Sequence, residues 1–350
     1  MAIAQTDPST LTKKDFVAEG DVKWCPGCGD YSILSSVQTV LPTLGIPKEQ
    51  FAFISGIGCS SRFPYYMDTY GFHTIHGRAL TVASGLKIAN PDLSVWVVTG
   101  DGDGLSIGGN HTMHAIRRNM DLKILLFNNR IYGLTKGQYS PTSEQGKVTK
   151  TSLMGSLDRP INPISFAIAS GATFVARTAA HNPKHLQATL KAAAAHKGAA
   201  FVEIMQNCNI FNDGAFAKYL NKDTKEVENL FIEAGEPLLF DKETKGITLQ
   251  SGSHPHLAVE GNNGDHSKFI VHDPSEEDAT LAYLIGHLGI EDPSKPTAMG
   301  VIRAVNKPSY DSLVVQQEEA AVERKGAGEL EKLIYSGGTW QVDGSGAKVN

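Results

Sequence analysis

The sequence predicts an α/β fold, a mostly parallel sheet with helices on both faces, and two observations carry that expectation. Between Gln50 and Met205 apolar, β-rich runs alternate with helix-compatible segments, and the informative polar motifs follow directly after those runs. Strands that alternate with helices form parallel sheets covered on both faces. The expected strands are Phe51–Ile54, Val95–Thr99, Lys123–Phe127, Thr173–Ala176 and Phe201–Met205. The expected helices between them are Arg78–Ala89, Gly109–Arg118, Pro163–Ala169 and Pro183–Ala195. Open α/β sheets bind ligands beyond the carboxyl ends of their strands. The segments Gly56–Arg62, Gly100–Gly104 and Asn128–Gln138 fall at such ends.

Beyond Asn212 the pattern becomes irregular. Pro237–Phe240 and Gly246–Leu249 read as a hairpin around a charged turn, and Gln250–Lys268, rich in Gly, Asn and His, reads as a loop. Pro274–Leu288 and Ser309–Tyr335 read as helices, followed by a glycine-rich tail. The expected organisation is an N-terminal arm over 1–20, one α/β domain over 21–215, and an extension over 216–350 suited to subunit contact.

The 350 residues are 41% hydrophobic with a net charge of −5, an ordinary globular composition that gives no electrostatic case for a nucleic-acid partner. No apolar stretch is long enough to span a bilayer. Met1–Lys14 lacks a basic segment followed by an apolar core, so no signal peptide is read and the expected location is the cytoplasm. The chain holds four cysteines, Cys25, Cys28, Cys59 and Cys208. In a reducing compartment four cysteines rarely form disulfides.

The run Val95–Thr99 leads into Gly100-Asp101-Gly102-Asp103-Gly104, and the next run ends in Asn128-Asn129. A divalent cation bridging a diphosphate requires hard oxygen ligands. Asp101 and Asn129 supply two from adjacent strand ends, and the carbonyl of Ile131 is placed to supply a third. The glycines let the backbone approach phosphate, and a helix expected to start after Gly104 offers unpaired N–H groups.

Cys25-Pro26-Gly27-Cys28 is a knuckle whose two thiolates converge on one centre, while Cys59 and Cys208 each lie just past an expected strand. The spacing fits a four-thiolate metal site of zinc or of iron and sulfur, and it also fits a redox Cys-x-x-Cys with two bystanders. His111 and His114 share a helix face without further ligands and read as structural. Arg117 and Arg118 end a helix and read as charge partners of its C-terminus.

The stretches WCPGCGD (24–30), GIGCSSR (56–62), HGRA (76–79), GDGDGLSIGGNH (100–111), RRN (117–119) and NNRIYGLTKGQYSPTS (128–143) stand in the chain in that order. They resemble the beta subunits of 2-oxoacid:ferredoxin oxidoreductases, densely over 20–215 and loosely elsewhere. The resemblance implies a thiamine diphosphate-binding pyrophosphate domain over 21–215. It implies Mg²⁺ held by Asp101, Asn129 and Ile131, and one 4Fe-4S cluster held by Cys25, Cys28, Cys59 and Cys208. It places Gly58, Ser60, His76, Gly100, Gly102, Asp103, Tyr132, Gly133, Leu134 and Thr135 around the cofactor. Some family members carry further clusters, but no cysteine remains here for a second one.

The activity so implied is coenzyme A-dependent oxidative decarboxylation of a 2-oxoacid, reversible as reductive carboxylation, with electrons passed to ferredoxin. Arg62, Lys136 and His76 are the candidate groups for substrate or diphosphate. The form Tyr-Gly-Leu-Thr-Lys-Gly-Gln at 132–138 is similar to members acting on 2-oxoglutarate, whose second carboxylate a cation suits. Pyruvate or another 2-oxoacid is the alternative, as is a non-redox thiamine enzyme. With one diphosphate motif in the chain, the pyrimidine-side domain is expected on an alpha subunit, as an α2β2 assembly.

Overall fold

The computed structural model describes residues 6–221, 224–252, 255–290 and 292–349. The chain folds as two compact units, 1–310 and 311–350. In the first unit, β1 (Phe51–Ser55), β2 (Tyr70–His73), β3 (Ser94–Gly100), β4 (Leu122–Asn128), β5 (Phe174–Ala179) and β6 (Ala200–Met205) are joined by β7 (Asn229–Ile232) and β11 (Thr297–Ala304). These eight form one sheet in the order β2-β1-β3-β4-β6-β5-β11-β7. Every pairing is parallel except β5 with β11. A smaller antiparallel sheet joins β8 (Leu239–Phe240), β9 (Lys245–Gln250) and β10 (His256–Gly261).

Strict alternation along each strand divides the core between two faces. Val95 and Val97, Ile124 and Leu126, Val175 and Phe201 pack with α2 (Ala79–Ala89), α3 (Gly109–Arg117), α4 (Pro163–Ala169) and α8 (Thr280–His287). Trp96 and Val98, Leu125 and Phe127, Ala176, Val202 and Ile204 pack with α1 (Asp30–Val40) and α5 (Pro183–Ala195). Buried on both sides, these strands carry almost unbroken apolar sequence, which is why they are legible as continuous runs. The starts of α4 and α5 are equally plain. Asn162 and Asn182 cap them with side-chain oxygens, and each has proline in its first turn. The short helices α6 (Ala217–Leu220) and α7 (Lys225–Glu228) lead into β7.

Several expectations are corrected. The helix after β3 begins at Asp101, not after Gly104, and passes through a π turn at Asp103–Ile107 before α3. The Asp103 carbonyl there accepts from Gly108 N instead of holding the α-helical register. Within the expected loop Gln250–Lys268, β10 pairs antiparallel with β9. The helix expected from Pro274 starts at Thr280, because Asp273 and Asp278 turn the chain on the N–H groups of Ser275 and Thr280. In the second unit the long helix is two, α9 (Tyr310–Lys325) and α10 (Leu330–Ile334), separated at Gly326, whose φ is +77°. A short hairpin, β12 (Gln341–Val342) with β13 (Lys348–Val349), closes that unit. Among the described residues no helix is long and apolar enough to cross a membrane.

Candidate active site

The order β1-β3-β4-β6 sets four strand ends side by side, and each end carries a predicted motif. Past β1 come Gly58, Cys59, Ser60 and Arg62; past β3, Asp101 and Asp103; past β4, Asn129 and Ile131; past β6, Cys208. One open cleft of about 110 Å³ is lined by Gly58, Cys59, Ser60, His76, Gly100, Asp101, Gly102, Asp103, Asn129, Ile131, Tyr132, Gly133, Leu134 and Thr135. The expected diphosphate and magnesium residues therefore face a single space.

Asp101 is 2% exposed. Its Oδ2 accepts hydrogen bonds from Ser140 Oγ at 2.5 Å and Thr142 Oγ1 at 2.6 Å. Burial raises its pKa above the usual carboxylate range, and the two hydroxyls only moderate that effect. Among the described residues no Lys or Arg forms an ion pair with it, so a cation in the cleft would meet a carboxylate that lacks one. The turn after β4 presents the other two expected ligands. Asn129 Oδ1 accepts from Ile131 N at 3.2 Å, Arg130 takes φ +56°, and Asn212 Nδ2 donates to the carbonyls of Asn129 and Arg130. Carboxylate, amide and carbonyl oxygens on one cleft are the donor set that magnesium takes.

Asp103 serves differently. Its Oδ1 accepts from Ile57 N, Gly77 N and faces His76 Nδ1 at 2.5 Å, and its Oδ2 accepts from Thr99 Oγ1. It thus ties the loops after β1 and β2 to the helix start, and it fixes the ring of His76 at the cleft. Tyr132 Oη donates to Gly102 O at 3.0 Å, and a Cβ on Gly102 would stand 2.1 Å from that ring. Glycine at 102 is therefore required for the tyrosine to close over the turn.

The four cysteines are all free. The Cys25–Cys28 knuckle packs on the loop after β6. Gly29 N donates to Asn207 O, Asn209 Nδ2 to Pro26 O at 2.7 Å, and Gln206 Nε2 lies 3.1 Å from Cys28 Sγ. Trp24 Nε1 donates to Cys59 O at 2.6 Å. A Cβ built on Gly133 would be 3.5 Å from Cys59 Sγ and 3.8 Å from Cys208 Sγ, so both sulfurs border one point beside a residue that lines the cleft. Burial raises the Cys28 thiol pKa strongly and pushes that of Cys59 up to about 11. Asp30 and the neighbouring cysteines add to both shifts. Such thiolates require cationic partners to ionise. Among the described residues no three His, Cys, Asp or Glu side chains converge tightly enough for a single metal ion.

Arg62 is exposed, with Nε donating to Tyr66 Oη at 2.8 Å. It lines a wider cleft of about 520 Å³ with Lys23, Tyr65, His73 and Leu134. That cleft shares Ile57, Gly58 and Leu134 with the first. Lys136 is exposed at φ +74° on the turn from Tyr132 to Gln138 and lines neither cleft. Sequence reasoning misses Ser140 and Thr142, which hold Asp101, and Asn128, whose amide links Thr142 to Glu203. All lie within or beside the motif at 128–143, but nothing in that motif says which hydroxyl turns inward.

Residues 56–204 match the family model described as the C-terminal TPP-binding domain of thiamine pyrophosphate enzymes. Over 332 residues the chain is 50% identical to the 2-oxoglutarate oxidoreductase subunit KorB of Mycobacterium tuberculosis, covering 94% of this chain and 88% of that one. It is 47% identical over 201 residues to the 2-oxoacid:ferredoxin oxidoreductase subunit beta of Saccharolobus solfataricus, covering 57% and 66% respectively. Among solved structures it is similar to the 2-oxoglutarate:ferredoxin oxidoreductase from Magnetococcus marinus with 2-oxoglutarate, coenzyme A and succinyl-CoA bound. That match has a TM-score of 0.75 and 33% identity, over 97% of this chain and all of the other.

Proposed function

This chain belongs to the beta subunits of the 2-oxoacid:ferredoxin oxidoreductases, and from that premise we propose that it serves the coenzyme A-dependent oxidative decarboxylation of 2-oxoglutarate to succinyl-CoA and CO₂. Asp101, Asn129 and the Ile131 carbonyl hold Mg²⁺ against thiamine diphosphate, and Cys25, Cys28, Cys59 and Cys208 hold one 4Fe-4S cluster. When bound, the thiamine cofactor supplies the electron sink for loss of CO₂ and the cluster a one-electron path to ferredoxin. The observation that carries this reading is the shared cleft: the oxygen donors, Cys59 and Gly133 line the same space, and Cys208 lies beside Gly133.

The chain's own residues orient and enclose. Tyr132 pins the Gly102 turn. His76, its Nδ1 held by Asp103, lines the cleft. Arg62 supplies positive charge at the adjoining wider cleft, and Lys136 lies on the neighbouring turn from Tyr132 to Gln138, outside both clefts; either cation suits a substrate with two carboxylates. The pyrimidine-side domain comes from an alpha subunit, so the isolated chain is inactive.

The test is anaerobic co-purification with that subunit, followed by iron and acid-labile sulfide analysis and ferredoxin reduction with either 2-oxoglutarate or pyruvate. Four irons per chain and faster reduction with 2-oxoglutarate are expected. A preference for pyruvate overturns the substrate, and absence of iron overturns the role of the four cysteines.

A further inference from the structure

Asn128 is not among the expected ligands, yet it touches both arms of the proposed metal site. It ends β4 on the sheet face shared with Leu126 and is 2% exposed. Its Oδ1 accepts from Arg130 N at 3.2 Å, which shapes the turn carrying Asn129 and Ile131. The same oxygen competes with Asp101 Oδ2 for the single proton of Thr142 Oγ1, at 2.9 Å and 2.6 Å respectively, so the two acceptors are coupled through that hydroxyl. The other end of the amide, Nδ2, donates to Glu203 Oε1 at 2.7 Å.

An asparagine amide works in either of two flipped orientations until its neighbours choose one. Here Arg130 N–H takes the oxygen end, and Glu203, an acceptor-only carboxylate, admits only the NH₂ end. Glu203 is in turn held from behind. Arg177, opposite it in the β5–β6 register, donates Nε to Glu203 Oε2 at 2.7 Å and spreads its remaining nitrogens over the carbonyls of Ala298 and Gly286. Arg177 is fully buried and Glu203 is 1% exposed. Both lie away from the cleft itself, which neither of them lines.

We infer that the buried Arg177–Glu203 pair is a positioning device for the cation site, acting by fixing the Asn128 amide and through it both Asp101 and the Asn129–Ile131 turn. The inference rests on the magnesium reading given above. Residues that orient ligands from behind typically change metal affinity by about 10–100-fold.

The decisive comparison uses two double variants that both remove the buried charges and differ only in the acceptor offered to Asn128. Arg177→Met/Glu203→Gln keeps a carbonyl oxygen at position 203, and Arg177→Met/Glu203→Leu removes it. Each would be assembled with its partner subunit. Mg²⁺ would be titrated at fixed thiamine diphosphate, with binding read by tryptophan fluorescence and the thermal midpoint taken without cofactor. The expected result is a Mg²⁺ midpoint at least about tenfold higher for the Leu form than for the Gln form. Equal Mg²⁺ midpoints for the two folded proteins overturn the inference and leave the pair a purely structural one. If either double variant does not fold, Glu203→Gln alone decides: its single carbonyl oxygen is contested by Arg177 and Asn128, so a raised midpoint is expected and an unchanged one overturns the inference. Asp101→Asn is run alongside. If it leaves Mg²⁺ binding unchanged, the magnesium reading itself has failed, an outcome distinct from failure of the relay.

Discussion

Asp101 and Asp121 are buried carboxylates at opposite ends of neighbouring strands, and their surroundings have opposite character. Asp121, just before β4, meets Lys123 Nζ at 2.5 Å and Lys87 Nζ at 3.3 Å. Lys123 also donates to His196 O, and Lys87 to the carbonyls of Pro91 and Leu93. Burial alone would raise the Asp121 pKa, but the two ammonium groups more than offset it and hold the carboxyl below its usual range. Asp101, past β3, has hydroxyl donors but no ion pair among the described residues, and its pKa is raised. The amino end of the sheet is a closed set of charges. The carboxyl end gathers carboxylate and thiols, and among the described residues no Lys or Arg forms an ion pair with Asp101. A buried acidic group lacking its cation marks where a ligand belongs, whereas one with two lysines marks a structural joint.

The sharpest break in this contrast is at the thiols. Cys208→Ser is expected to abolish the iron–sulfur signal and ferredoxin reduction in the assembled protein, as measured by iron and sulfide content. Retained stoichiometric iron would remove Cys208 from the ligand set. Asp101→Asn comes next. Mg²⁺-dependent thiamine diphosphate binding is expected to weaken by at least about a hundredfold. The cofactor-free thermal midpoint stays level or rises, because a buried carboxylate lacking an ion pair has been neutralised. A large loss of stability would show that Asp101 is a joint after all.

Asp121→Asn should give the reverse pattern. It leaves two buried ammonium groups without their carboxylate, which costs about 3–5 kcal/mol. Chemical denaturation reads that loss, and the Mg²⁺ midpoint of the folded fraction remains that of the parent. Matching effects at Asp101 and Asp121 would erase the distinction between the two ends of the sheet.

How much of this was legible follows the same division. Strands β1, β3, β4 and β6 are read from apolar runs, and the motifs after them from residue type, because function there needs particular atoms at strand ends. Helix α1 was not among the expected elements, although Ile33, Leu34, Val37 and Val40 lie on one helical face, because the strand–helix alternation begins only after it. Strand β2 has four exposed residues, so no burial pattern marks it. Strand β11 is interrupted by Gly300 at φ +131° and a bulge before Arg303. The support of the site was not legible, because Arg177, Glu203 and Asn128 are neighbours across strands rather than along the chain. The Lys87–Asp121–Lys123 joint is likewise formed only when α2 packs beside β4.

The smallest expected effect tests the amino end by pH. His196 is 8% exposed, with Nε2 on Thr173 Oγ1 at 2.8 Å and its ring beside Phe174. Burial, with Lys123 nearby, pushes its pKa down to about 4. The unfolded chain, near 6.5, binds the proton first. The neutral imidazole therefore contributes stability that is fully present above pH 6.5 and is lost as pH falls through 4. Asp121 does not share this window, since a carboxyl held low loses its contribution only below the ordinary carboxylate range. Asp30, raised to about 7 by burial, works in the opposite sense over the same interval. The wild-type slope alone is thus ambiguous, and the difference between wild type and His196→Gln is the informative quantity. Denaturant midpoints at pH 7.5, 6 and 5 should converge for the two proteins as pH falls. Parallel curves would show that His196 takes up its proton in the folded state as readily as in the unfolded one, and that this end of the sheet is open to solvent.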